Sequence, residues 1–541
     1  MKQKYILLCF VTTLLFCTPW LSFAQESQTI IGKVLDNQTK EPVVGVNISA
    51  SVQQKTIGTQ TNTEGLFRLD IPTEVKKIKI SSVGYATQEV LVSFASPMLI
   101  ELEPGAILSE IVVTALGLER DSKSLGYAVQ QVNSKEISQV KSANFLDNLA
   151  GRVAGVTITS GSTGVGSSSR ISIRGEASFT NTSPLFVVDG IPINNSTVVN
   201  NVNDDANGFM EVDFGNGAME VNPDDIESVT VLKGPTAAAL YGTRASNGAI
   251  LIKTKTGGAK KGIGVQVNST IYGETPFQLP QFQNEYGLGN SGRYAFKDGL
   301  GGGINDNITY SFGPRLNAGI SLPQYDSPVT LANGTVVRAG DVAVHGGLPI
   351  TPTPFVAYPT NLRDFYQTGR TFINNVAISA GTEKSQFRLS LTDLDSKSYI
   401  PGVDLNRRTV ASSMQFAPTD KWTITSNLNY IQTGSSNRPA TKYGSENINY
   451  ALVAWFGRSN SIEPLRSYWQ PGLEGIQQFS YNYTFFDNPY FTLLENRNGF
   501  QRDRLFGNIV SKYQWTPELS LTIRTGMDYQ NENRTFRRAY S

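Results

Sequence analysis

Beyond residue 262 the chain alternates apolar and polar residues again and again. Ile263, Val265, Val267, Ser269 and Ile271 alternate with Gly, Gln, Asn and Thr. Phe387, Leu389 and Leu391 alternate with Arg388, Ser390 and Thr392. Trp422, Ile424, Ser426, Leu428 and Tyr430 repeat the pattern, and Leu519, Leu521, Ile523, Thr525, Met527 and Tyr529 form its clearest run. A period of two marks strands with one apolar face. Runs of about 9–11 residues are long enough to cross a bilayer at a tilt. Seven strands are expected, near 263–272, 371–380, 386–395, 409–416, 422–431, 505–515 and 519–529. The links between them alternate in length. Residues 381–385, 417–421 and 516–518 are tight turns, whereas 273–370, 396–408 and 432–504 are long, polar and rich in Gly and aromatics. Short turns on one side and long loops on the other suit a transmembrane β-barrel; a compact soluble domain rarely carries loops of that length.

The preceding residues read differently. Residues 28–103 hold short strands separated by turns (TIIGKVLD, VVGVNISAS, LFRLDI, VKKIKISSVGY, QEVLVSF), the spacing of a β-sandwich. Residues 117–256 mix helix and strand. Ala143 to Ala154 has helical spacing, TAAALYG reads as a short helix, and VTIT, ISIRG, LFVVDGIPI, IESVTVLKG and GAILIKTK read as strands, together a compact α+β unit. In the linker between them, Ile111-Val112-Val113-Thr114 is β-branched throughout and prefers an extended backbone. One more sandwich strand and a strand recruitable to another protein's sheet edge explain it equally well.

At the start, Lys2 and Lys4 precede an apolar run from Ile6 to Phe16, and Ser22-Phe23-Ala24 is a small-x-small cleavage site: residues 1–24 read as a secretory signal peptide. Both cysteines, Cys9 and Cys17, lie within it, so the exported part is expected to be stabilised by burial and strand pairing. No later apolar stretch is long enough for a transmembrane helix, which leaves a β-barrel as the route into a membrane.

Composition narrows the chemistry. With 541 residues the length prior allows about three or four domains. Lys+Arg 46 against Asp+Glu 45 leaves +1, which argues against a nucleic-acid binder. His345 is the single histidine, which removes His-rich metal sites and most nucleophilic catalysis; the chain is not expected to be an enzyme. Gly161-Ser162-Thr163-Gly164-Val165-Gly166 lacks the Gly-Lys-Ser/Thr of a phosphate loop and leads into a strand. Residues 203–227 hold Asp204, Asp205, Glu211, Asp213, Glu220, Asp224, Asp225 and Glu227 with no Lys or Arg between them. They read as a solvated acidic loop, although Asn203, Asp205 and Asn207 match the first half of a calcium loop whose twelfth position is Phe214 instead of Glu. No other cofactor is expected. Arg170 and Arg174 alternate along one expected strand and are candidates for a releasable latch to carboxylates inside the barrel wall. Residues 443–491 are rich in aromatics. Tyr468, Trp469, Tyr481 and Tyr483 are candidate contacts for a ligand or a partner, with plain loop packing as a third reading.

Several stretches carry a family resemblance. Gly32-x-Val34, Glu41-Pro42-Val43-x-Gly45-Val46, Glu64-Gly65-x-Phe67 and Val83-Gly84-Tyr85 resemble the carboxypeptidase regulatory-like domain, which implies an immunoglobulin-like fold without peptidase chemistry. LSEIVVTALGLERDSKSLGYAVQQV (108–132), LAGRVAGVTIT (149–159), SRISIRGEASF (169–179), PLFVVDGIPI (184–193), NPDDIESVTVLKGPTAAALYGTRASNGAILIKTK (222–255), FQNEYG (282–287) and DFYQTG (364–369), in this order, resemble the SusC/RagA family of TonB-linked outer-membrane transporters of Bacteroidetes. The resemblance implies a mainly β architecture: a regulatory-like immunoglobulin-type sandwich (25–103), a linker with a TonB box (104–116), an α+β plug (117–256) and the first part of a large barrel (262–541), in the family one of about 22 strands. Seven strands leave an open edge that lipid does not tolerate, so the chain is expected to be the N-terminal portion of a longer protein. By the resemblance, Glu110, Ile111, Val112, Val113, Thr114 and Ala115 form the TonB box. It implies TonB as the periplasmic partner, a SusD-type lipoprotein at the surface, outer-membrane lipid around the wall, and import of oligosaccharides or, as runner-up, peptides. A receptor with a mainly signalling or adhesive role is the alternative.

Overall fold

The computed structural model describes residues 27–541 except 38, 53–54, 83–84, 94–96, 104–110, 114–118, 122–128, 139–141, 176–182, 196–198, 201–210, 235, 259–261, 295–308 and 484. The signal segment, Glu110, Thr114, Ala115 and the calcium candidates Asn203, Asp205 and Asn207 lie outside these described residues.

Two compact units result, dividing around Ile111. In the first, Ser27–Asp36 is the middle strand of a three-stranded sheet, antiparallel to Leu66–Pro72 and parallel to Met98–Leu102. A second sheet runs Lys55–Gln60, Asn47–Val52, Lys77–Ser81, Gln88–Leu91. Alternate residues of the two sheets, among them Ile30, Val34, Ile48, Leu69, Ile78 and Ile100, meet in one apolar core. This is the β-sandwich that its strand spacing predicts, of the immunoglobulin-like type that the resemblance implies.

The second unit contains the plug and the wall. The plug sheet orders its strands Val129–Asn133, Ile226–Leu232, Ala249–Thr254, Leu185–Val188, Ile191–Ile193. The last two form a hairpin closed by Asp189-Gly190, both at positive φ (48° and 84°), the two-residue turn that matches strand twist. Val156–Ser160 and Ser169–Ile173 form a separate hairpin. The helix expected over 143–154 is a correction: only Phe145–Leu149 is helical, as a 3₁₀ turn capped by the Asn144 side chain. Gly151 and Gly155 (φ +74° and +73°) turn the chain away from the helical path. Its apolar residues Phe145, Leu146, Leu149 and Val153 still reach the core as their spacing indicates.

The seven wall strands are Gly262–Glu274, Gly369–Gly381, Ser385–Lys397, Asp404–Thr419, Trp422–Ser435, Arg497–Gln514 and Ser520–Arg537. They pair in sequence order as one antiparallel meander. The burial pattern of the wall is inverted relative to a soluble sheet. Arg388, Ser390, Thr392, Arg407, Thr409, Asn427, Asn429, Arg502, Arg504 and Asn508 are buried. Phe387, Leu391, Val410, Met414, Leu428, Tyr430, Ile509 and Ile523 on the alternate positions are exposed. Water would penalise that arrangement; lipid favours it. Trp422, Tyr513 and Trp515 cluster at the tight-turn end, where amphipathic rings sit at a membrane interface. The strands outrun the expected lengths, reaching 18 residues in the last two. As a result the link expected over 396–408 shrinks to 398–403.

The two remaining long loops pack together as a roof instead of trailing through solvent. Tyr325, Val329, Leu362, Phe365, Leu452, Leu465, Phe479, Tyr490 and Leu493 share its core. Arg338 holds it closed. Its guanidinium grips buried Asp341 through two bonds of 2.9 and 2.8 Å, donates to the carbonyls of Pro464, Ser467 and Trp469, and stacks 3.4 Å above the Phe479 ring. The one histidine is also structural: the His345 Nε2 lies 2.8 Å from the Ala339 carbonyl, and its Nδ1 accepts from Gly347 N. Arg338→Ala is expected to cost the roof about 3–5 kcal/mol, because Asp341 is left buried without its cation. Limited proteolysis of residues 320–360 should accelerate while the wall keeps its heat-modifiable migration; loops that stay resistant would contradict this account.

Candidate functional site

The plug meets the wall along a seam of buried charges and amides. At its level nearest the tight turns, Arg388 of the third wall strand faces Asp225 at 2.7 Å, with both side chains nearly inaccessible. The guanidinium N–H is not aligned on that oxygen, so the contact is an ion pair more than a directed hydrogen bond. Asn222 donates to Asp225 Oδ2 and to Thr392 Oγ1, each at 2.7 Å, and Asn268 donates to Asp224.

Higher up, Glu220 is shared by two arginines of the sixth wall strand. Arg502 reaches its Oε1 at 3.2 Å and Arg504 its Oε2 at 3.0 Å. Asp528 of the seventh strand takes two bonds of 2.8 Å from Arg504, and Glu532 pairs with Arg502 and Arg534. Three cations facing three anions, each with fixed donors, meet the condition for tolerating buried charge. The same guanidinium groups donate to plug carbonyls: Arg502 to Phe214, Arg504 to Gly217 and Asn194. A Cβ at Gly217 would lie 2.5 Å from Arg504 Nη1 and 2.0 Å from the Asn194 carbonyl, so only glycine admits this approach. Short 3₁₀ turns, Gly217–Glu220 and Pro223–Asp225, present these carbonyls and carboxylates outward.

At the roof end Arg407 donates to the carbonyls of Met219 and Ala143. Arg438 donates to Asp213 O, Val165 O and Thr163 Oγ1. Burial lowers the Arg438 pKa from its ordinary value. The glycine-rich loop 161–166 therefore receives an arginine from the wall side; at Gly166 an added Cβ would meet Leu405 at 3.0 Å.

These positions revise the sequence reading. The stretch 203–227 is not a solvated acidic loop in its described part: Glu220, Asp224 and Asp225 are 1%, 3% and 4% exposed. Arg170 lies on Ser169–Ile173, but Arg174 falls past the end of that strand with φ +59°, and both are exposed. The buried ion pairs have the opposite polarity, with arginines on the wall and acids on the plug. Two signals pointed there: a long acidic run without a basic residue, and arginines at the polar positions of wall strands.

The aromatic candidates separate as well. Tyr481 packs edge-on to Phe456, and its phenol is pushed up by burial. The Tyr483 hydroxyl donates to Gly340 O and accepts from Ser480 N and Gln470, and burial pushes it up to about 12. Tyr468 (bonded to Glu495) and Trp469 (edge-on to Phe491) are half-buried. Ile111–Val113 forms a three-residue strand paired with Glu119–Asp121. Among the described residues no group of three or more His, Cys, Asp and Glu side chains is placed to hold a metal ion.

Residues 121–249 match the TonB-dependent Receptor Plug Domain family, and residues 30–114 match the CarboxypepD_reg-like domain family. The TonB-dependent receptor SusC of Bacteroides thetaiotaomicron is 35% identical over 251 residues, covering 46% of this chain and 23% of that protein. The chain is similar to the SusC/RagA family of TonB-dependent receptors in both of these domains. TonB-dependent receptor P26 of Formosa agariphila, 29% identical over 382 residues, is similar to 68% of this chain and is itself covered to 33%. The chain thus spans 23% and 33% of the length of these two relatives. In fold it resembles the RagAB peptide importer in its open-open state, with a TM-score of 0.50 at 17% identity, over 78% of this chain and 42% of that one. TonB-dependent receptors are outer-membrane β-barrel proteins, the setting that the inverted wall fits.

Glu220→Gln is expected to loosen the seam by about 3 kcal/mol, since Arg502 and Arg504 lose their shared anion while staying buried. Hydrogen exchange over residues 211–225 in the full-length protein should then rise about a hundredfold. Unchanged exchange would mean that Asp528 and Glu532 satisfy both arginines alone.

Proposed function

We propose that the chain supplies the plug and the first part of the wall of an energised outer-membrane importer of oligosaccharides, or alternatively peptides, working with a SusD-type surface lipoprotein. The observation that carries this reading is the arginine–carboxylate seam. An apolar seam gains stability from contact and loses it on separation. Buried ion pairs stand close to balance with their hydrated parts, because desolvation offsets most of the Coulomb gain. A plug held in this way stays seated, yet it can be drawn off the wall once water follows.

The pull enters through Glu110 to Ala115, read as the TonB box. An extended segment presents backbone donors and acceptors to an edge strand of TonB and joins its sheet. The three-residue pairing of Ile111–Val113 with Glu119–Asp121 supports this, since so short a ribbon is a weak competitor for the same backbone groups. The name of the RagAB importer supports the peptide alternative; the roof, with Tyr468 and Trp469 only half-buried, supports capture of cargo or partner at the surface.

Val112→Pro in the full-length protein removes a backbone donor and fixes φ within the proposed box. Uptake of labelled cargo is expected to fall to the level of a TonB-deficient strain, with surface binding and plug folding retained. Transport at the wild-type rate would reject the assignment.

A further inference from the structure

Below the shared carboxylate of Glu220, toward the tight turns, plug and wall part around a cavity of about 310 Å³. We propose that it is a transit subsite for one hydroxyl-rich unit of the cargo, a single sugar residue, on the periplasmic side of the latch. The inference rests on the importer reading and narrows its cargo.

The cavity holds buried polar atoms without partners. Asn427 and Asn508 sit opposite each other on adjoining wall strands, 9% and 5% exposed. Both line the cavity, and the Oδ1 of each accepts no hydrogen bond. Arg524 lines it from the seventh strand, and its Nε has no acceptor. Buried polar atoms in native proteins nearly always find partners, so such a group of three marks a place that something else fills. Two acceptors and a donor around one space are answered by hydroxyl groups, each of which donates and accepts at once.

The rest of the lining agrees. Thr230, Thr254 and Thr425 add hydroxyls, whereas Val187, Leu251 and Val510 offer an apolar patch for the C–H face of a ring. Asp189 is already committed: its carboxylate accepts from Thr254 N at 2.9 Å and Thr254 Oγ1 at 2.7 Å, and its carbonyl from Asn508 Nδ2 at 2.6 Å. No carboxylate is thereby set aside for the ammonium group of a peptide. The volume is at the lower end for small-ligand pockets, enough for one ring but not for a chain.

The test uses the resting full-length transporter in a cysteine-free background, with Thr425→Cys as a reporter in the cavity wall. Labelling by a small charged methanethiosulfonate is followed with glucose, with the dipeptide Ala-Ala, or with neither. Saturating glucose is expected to slow labelling about tenfold and Ala-Ala to leave it unchanged. Adding Asn427→Leu should abolish the protection; if that variant does not assemble, Asn427→Ala serves the same comparison. No protection by glucose would mean that the space holds only water, and equal protection by the dipeptide would mean that it does not select hydroxyls. Either result overturns the subsite. The assay needs neither TonB nor transport. Lost protection with normal uptake therefore refutes the subsite alone, and normal protection with absent uptake refutes the importer reading alone.

Discussion

A wall whose polar face is turned inward decides everything that sits against it. The exposed side of the meander carries Leu391, Met414, Leu428 and Ile523, so the enclosed side keeps the arginines, asparagines and threonines. Any domain that fills this space must offer carboxylates, carbonyls and amides to them, or leave charges stranded in a poorly hydrated gap. The plug does so through a short segment, Phe214 to Asp225, made almost entirely of tight turns. Turns leave carbonyls unpaired within their own element, and those carbonyls become the acceptors for Arg502, Arg504 and Arg407. A regular helix there would have consumed the same groups internally.

The plug is not held by charge alone. Ile431 and Phe506 point inward from the wall into the plug's main apolar core, beside Ile193 and Ala218. Two wall positions out of the polar pattern thus supply apolar packing directly beside the ion pairs of Arg504. The roof repeats the combination on its own scale, with Arg338 spanning an aromatic core and a buried acid.

Local pattern carried the architecture. The period of two located all seven wall strands, whereas LFVVDGIPI, read as one strand, is a hairpin that turns at Asp189-Gly190. The strand ends were less legible, because pairing continues into polar residues such as Arg497 and Arg537 that carry no alternation signal. The seam was the least legible feature. Glu220 and Arg504 are far apart in sequence, and nothing near either residue announces the other. Composition showed both an acidic stretch and inward arginines, but a lone stretch of acids resembles a solvated loop until a fold brings cations to it. Arg170 and Arg174 attracted the latch assignment because they sit at strand spacing; the left-handed backbone of Arg174 takes it off that strand. The helix over 143–154 failed for a similar reason, with apolar spacing right and two glycines overruling it.

The side on which the cations sit has an outcome for the vacated passage. On the importer reading, the guanidinium groups are anchored in the strands and would stay if the stopper left, while the anions Glu220 and Asp225 would depart with it. Arg388 and Arg407 would then face the opening without a carboxylate of their own, so this arc of the wall would turn electropositive while the path is open. Acidic or phosphorylated solutes would be drawn in and small cations held back, a filter that exists only while the path is open.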